Sequence, residues 1–265
     1  VQVSKYAKRS NRNNPRQDRN SGYEPKFSPS NPRNAQKDSN LIELNFPFKP
    51  KKKKIDIIPR NLNQEDLVAA LEDNTKHIVF AVGPAGCGKT LLATLHAIKC
   101  LKEGLVEKIV ITRPNVAVDD KDIGFLPGDI TKKLSPWCMP VLDILGEYYS
   151  QKEIAMMLEE GIIEMIPLAY MRGRTLKNAY IIFDEAQNST PTSMLSVLTR
   201  IGEGSRMIVT GDVKQGDRGY SNGLSDFISR FANGSTHIEL IQFTPKDVER
   251  HPVIREVLEL YKDIS

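Results

Sequence analysis

Residues 83–90 read "GPAGCGKT", a glycine, four intervening residues, then Gly-Lys-Thr. The pattern has a mechanism only when an apolar strand runs into it and a helix leaves it. Both flanks are present. "HIVFAV" (77–82) is a short run rich in β-branched and aromatic residues, and "KTLLATLHAIKCL" (89–101) repeats apolar residues at helical spacing. A loop of this kind wraps phosphate oxygens with backbone amides, and the helix dipole adds a favourable field. Gly83, Gly86 and Gly88 permit the turn, while Pro84, Ala85 and Cys87 fill the variable positions. Lys89 is expected to reach the terminal phosphates and Thr90 to ligate Mg²⁺.

Further runs of the same make-up lie on either side of helical stretches: "KIVITR" (108–113), "IIEMIP" (162–167), "AYIIFD" (179–184), "RMIVTG" (206–211) and "HIELI" (237–241). Most are apolar without strict alternation, as strands buried on both faces are. Strands separated by helices predict an α/β fold, a parallel sheet covered by helices on both faces. The longest insertion, 115–161, reads as a loop followed by a helical excursion at the sheet edge. Upstream, "NLNQED" (61–66) opens a helix with Asn63 as its expected cap and Gln64 placed to read an adenine edge through its amide.

"AYIIFDEAQ" delivers Asp184 and Glu185 at a strand's carboxyl end, where open parallel sheets bind ligands. Asp184 is expected to hold Mg²⁺ and Glu185 to orient or deprotonate the attacking water. The adjacent glutamate favours hydrolysis over transfer to a small-molecule acceptor. In "VTGDVKQ" (209–215), Gln215 follows the next strand and is expected to feel a terminal phosphate or the lytic water.

Charge is distributed unevenly. Residues 1–54 hold 14 Lys and Arg against 4 Asp and Glu, leaving 23 against 29 for the remainder, within an overall balance of +4. The first forty residues are too poor in aliphatic side chains to build a core, so 1–54 is expected to be a disordered basic tail and linker, and 55–265 the folded ATPase domain. Cys87, Cys100 and Cys138 are widely spaced and form no CxxC pattern, which suggests neither a disulfide frame nor a zinc site. A reducing, cytoplasmic setting is expected, with no membrane partner, because no apolar run approaches a bilayer-spanning length.

The pieces "GPAGCGKT", "ITRPNV", "GFLPGD", "PLAYMRGRTL", "IIFDEAQN", "LTRIGEGSRMIVTGDVKQ" and "DVERHPV", in this order, resemble the PhoH-like family of ATPases, related to superfamily 1 helicase motor cores. The resemblance covers about residues 55–265 and leaves the basic tail outside. It implies a parallel RecA-like P-loop NTPase sheet covered by helices on both faces, ATP binding and hydrolysis by Gly83 to Thr90, Asp184, Glu185 and Gln215, and helicase-like behaviour. Relatives fused to nuclease domains act on RNA. It also implies that Arg113 of "ITRP", and Arg172 and Arg174 of "MRGRT", fall where such cores contact a single strand.

Fifty residues follow Gln215, too few for the second domain with which helicase motors close their ATP site. A ring of identical subunits, hexameric in the simplest case, is therefore expected, with an arginine supplied across a head-to-tail interface. The candidates are Arg250 in "DVERHPV", Arg200 at the end of the helix after Asp184, and Arg174. Two readings stay open in the sequence: an ATPase acting on single-stranded nucleic acid, RNA before DNA, or a nucleotide-dependent regulatory or assembly module that does not touch nucleic acid.

Overall fold

The structure is a computed structural model and describes residues 54–114, 130–215, 222–231, 234–249 and 253, with the backbone alone over 130–136. These residues belong to one compact unit, 48–265. The expectations placed on the basic tail and on Arg250 lie outside the described residues.

All six anticipated strands form: β1 (Ile78–Val82), β2 (Lys108–Thr112), β3 (Ile163–Met165), β4 (Ala179–Phe183), β5 (Arg206–Gly211) and β6 (Ile238–Gln242). They build one sheet in the order β3-β2-β4-β5-β1-β6, and every pairing is parallel. Parallel neighbours need crossovers, which the helices supply. This is the RecA-like P-loop architecture expected from the sequence.

Strand residues alternate between two apolar layers. On one face Val79, Ala81, Ile109, Ile111, Ile182 and Ile208 pack under α1 (Leu62–Glu72), α2 (Lys89–Lys102), α3 (Ile130–Gly146) and α4 (Gln151–Glu159). On the other, Phe80, Val110, Ile181, Phe183 and Val209 lie under α5 (Pro191–Leu198) and α6 (Gly223–Arg230), with Phe80 stacked on Phe227 at 3.9 Å between ring centres. With water excluded from both faces, truncating a central residue such as Ile182 to alanine costs about 2–5 kcal/mol. The helical excursion of the 115–161 insertion resolves into two helices, α3 and α4, both beside the edge strand β3.

One local expectation is corrected. The cap of α1 is Asn61, whose side chain accepts from the Gln64 amide at 3.0 Å. Asn63 instead sits inside the helix and donates to Asp247 Oδ2 at 2.8 Å. Both asparagines suit a cap by type, and the longer-range partner at Asp247 decides between them.

Candidate active site

The order of strands sets the site. β4, β5 and β1 are adjacent, so the loops leaving their carboxyl ends meet. Register then levels the groups: Val82 pairs with Gly211, and Phe183 with Val209, which puts Asp184 beside Thr210. A cavity of about 190 Å³ opens there, lined among others by Gly88, Lys89, Thr90, Asp184, Glu185 and Gln215.

The loop of 83–90 is held from three sides. Gly83 N–H donates to Gly211 O at 3.0 Å, Glu249 N–H to Gly86 O at 3.0 Å, and the buried Gln64 Nε2 to Cys87 O at 3.2 Å. Gly83 has φ 150, and a Cβ there would lie 2.6 Å from the backbone oxygen of Phe243, so only glycine fits. Gln64 Oε1 also accepts from Arg60 N–H at 2.8 Å. The amide expected to read adenine therefore braces the phosphate loop, with its second Nε2 hydrogen left for other contacts.

Lys89 is the buried cation of the site. Its Nζ donates to the carbonyls of Gly83 and Pro84 at 2.6 and 2.7 Å. Burial pushes its ammonium below the usual lysine range, opposed by the carboxylates of Asp212, Glu185 and Asp184 around it. A buried cation ringed by carbonyls and carboxylates is suited to exchange these acceptors for phosphate oxygens.

Thr90 Oγ1 donates to Asp184 Oδ1 at 3.2 Å, and the buried Thr210 hydroxyl donates to the same oxygen. The donor set fits Mg²⁺: hard oxygens from one hydroxyl and one carboxylate, with other positions open to water and phosphate. No cluster of three His, Cys, Asp or Glu exists among the described residues.

Glu185 follows β4 with φ 54, an uncommon backbone for a residue with a side chain. Its carboxylate is held twice. Gln187 Nε2 donates to Oε2, and Arg113 NH2 stands 3.2 Å from Oε1. Gln187 is buried, and its Oε1 accepts from the Asp212 N–H at 3.1 Å, joining Glu185 to the turn that carries Gln215. Sequence reading passed over Gln187, although it stands inside the quoted "FDEAQ". Its signal was an amide two residues after the carboxylate expected to act on water, and its second partner lies 25 residues downstream.

Of the candidate arginines, Arg113 alone reaches this site among the described residues. Arg174 pairs with Glu164 at 2.7 Å, beside Lys108 on the same carboxylate at 2.6 Å, and the two cations hold that carboxyl below its usual range against the effect of burial. Arg200 donates to Arg174 O at 3.3 Å and to Thr199 Oγ1 at 2.9 Å. Leu176 and Ile201 bridge before β4 and β5 begin, so this cluster occupies the opposite end of the sheet from the cavity. Arg172 is exposed beside it.

The PhoH-like protein family matches residues 56–262. The chain belongs to the PhoH-like family. It is 44% identical over 204 residues to the PhoH-like protein of Bacillus subtilis (strain 168), covering 76% of this chain and 63% of that protein. It is 41% identical over 209 residues to Protein PhoH of Escherichia coli (strain K12), covering 77% and 58%. The chain thus spans less than two thirds of the length of these family members. Among solved structures, the large terminase of a thermophilic bacteriophage overlays 74% of this chain and 49% of its own at a TM-score of 0.44 and 10% identity, too distant to bear on function. The family resemblance read from the motifs is borne out. No described helix is long and apolar enough to cross a membrane.

Proposed function

We propose that this chain binds ATP with Mg²⁺ and hydrolyses it, coupled to single-stranded nucleic acid, with RNA the preferred class. The observation that carries the reading is the convergence of Lys89, the Thr90–Asp184 pair, Glu185 and Gln215 on one cavity. Lys89 exchanges its two carbonyl acceptors for β- and γ-phosphate oxygens, and the amino end of α2 adds its dipole. Thr90 and Asp184 would hold Mg²⁺, which would supply positive charge against the phosphate oxygens. Glu185 orients a water and accepts its proton, and Gln215, exposed on the turn after β5, registers loss of the terminal phosphate. Asp184 for the metal with a separate glutamate beside it for the water favours hydrolysis over phosphoryl transfer to a bound acceptor.

Coupling to nucleic acid is supported by the half-buried Arg113 at the cavity rim and by the basic composition of residues 1–54. The ring reading is supported by the position of Arg174 and Arg200 at the far end of the sheet. A head-to-tail assembly would bring them to a neighbour's ATP rather than their own, and Arg250 stays the third candidate. The excess of Asp and Glu over 55–265 favours the second reading, an ATP-dependent assembly module without nucleic acid. Steady-state ATP turnover with and without polyuridylate, at about 50 and about 200 mM salt, separates them. Stimulation that fades with salt supports the strand-coupled reading, whereas one rate under all four conditions supports the assembly module.

A further inference from the structure

Arg113 follows β2 and bridges two elements. NH1 donates to the carbonyl of Trp137 in α3 at 2.9 Å, and NH2 faces Glu185 Oε1 at 3.2 Å. Gln187 already occupies Oε2. A carboxylate that must orient and deprotonate water therefore presents both oxygens to protein donors. The pair is half-open to solvent, with side-chain exposures of 29% for Arg113 and 35% for Glu185, so it is readily exchanged. A phosphodiester offers the guanidinium two oxygens in the fork geometry it prefers, which a single carboxylate oxygen does not.

Resting on the ATP-hydrolysis reading above, we propose that Arg113 restrains Glu185 until a phosphodiester strand draws the guanidinium away. One side chain then serves as both strand contact and brake. Strand binding leaves Oε1 to the attacking water and at the same time loosens the tie to α3. Arg113 is a positioning residue in this scheme, since it acts through Glu185 rather than on ATP.

The restraint makes a prediction opposite in sign to that for an ordinary helpful arginine. Arg113→Ala raises basal kcat without strand, by up to about fivefold, the ceiling for an ion pair of this exposure. KM for ATP stays within about twofold, because Arg113 touches neither Lys89 nor Thr90, and polyuridylate no longer stimulates. Trp137 is the single tryptophan of the chain, so its fluorescence reports the Arg113 contact independently of turnover. Polyuridylate is expected to change wild-type fluorescence saturably and to leave Arg113→Ala unchanged. A basal kcat in Arg113→Ala at or below wild type overturns the restraint. Hydrolysis by the wild type with no fluorescence response to polyuridylate overturns the strand trigger alone, whereas absence of any wild-type hydrolysis overturns the underlying ATPase reading.

Discussion

Replacing Gln187 with alanine separates stability from catalysis in a way the geometry fixes in advance. The side chain is 2% exposed and makes two bonds of different kinds. Its removal leaves the N–H of Asp212, a residue 8% exposed, without its acceptor, a loss of about 1–3 kcal/mol. The methylene beyond Cβ adds about 1 kcal/mol of lost burial. Glu185 is open enough for water to replace the amide, so that bond adds little to stability. The sum is about 3 kcal/mol, which lowers Tm by about 6–12 °C in a domain of this size. Catalysis suffers separately, because Gln187 is what aims the Glu185 carboxylate and couples it to the turn bearing Gln215. We expect kcat to fall about 10- to 100-fold through misplacement of that group, with KM for ATP within about threefold, since the phosphate loop is untouched. Scanning calorimetry with phosphate-release kinetics below the mutant's Tm gives both numbers. A Tm that drops as expected beside a kcat within twofold of wild type would show that Gln187 fills space and positions nothing.

Three further outcomes follow from single contacts. Gly83→Ala forces a Cβ to within 2.6 Å of the Phe243 backbone oxygen, so it should cost about 2–3 kcal/mol and weaken nucleotide binding; retention of both wild-type Tm and affinity refutes the close approach. Asp184→Asn removes the negative charge beside Thr90 and Thr210 while keeping shape, and should raise the Mg²⁺ concentration required for half-maximal turnover by about tenfold or more, read from a metal titration at saturating ATP. His96 is buried between α2 and β4 with Nδ1 2.9 Å from Tyr180 OH, and burial, then the charges of Arg206 and Lys99, lower its pKa to about 4. The unfolded chain therefore binds this proton first as pH falls through about 6.5, and stability declines until the folded state also binds it near 4. Chemical denaturation should show about 2 kcal/mol less stability at pH 4.5 than at 7.5 from this group, a difference that His96→Gln removes; an equal loss in that variant assigns the decline elsewhere.

The strands were legible because burial on both sheet faces leaves an uninterrupted apolar run, and "AYIIFD" or "RMIVTG" can hardly sit anywhere else. The phosphate loop, Asp184 and Glu185 were legible because one strand presents each of them locally. Contacts across strands were not. Arg113 on Glu185 joins β2 to β4, and Gln187 on Asp212 joins the ends of β4 and β5; neither spacing leaves a periodic mark. The Asn61 cap was missed for a related reason, since two asparagines two residues apart suit the position equally by type and only Asp247, 184 residues from Asn63, claims one of them. Arg174 and Arg200 illustrate the converse. Both flank Asp184 in sequence, yet β4 separates Arg174 from it and α5 separates Arg200 from it, so both lie away from the cavity of their own subunit.

The central claim is that Glu185, beside Lys89 and the Thr90–Asp184 pair, makes this a hydrolase. Phosphate release from ATP with Mg²⁺ by the wild-type chain and by Glu185→Gln, with nucleotide affinity measured on both, tests it most directly. The expected result is Mg²⁺-dependent release by the wild type, a kcat lower by about 100-fold or more in the variant, and ATP affinity within a few-fold of wild type. A wild type that binds ATP without releasing phosphate, or a Glu185→Gln variant that turns over as fast as wild type, contradicts it.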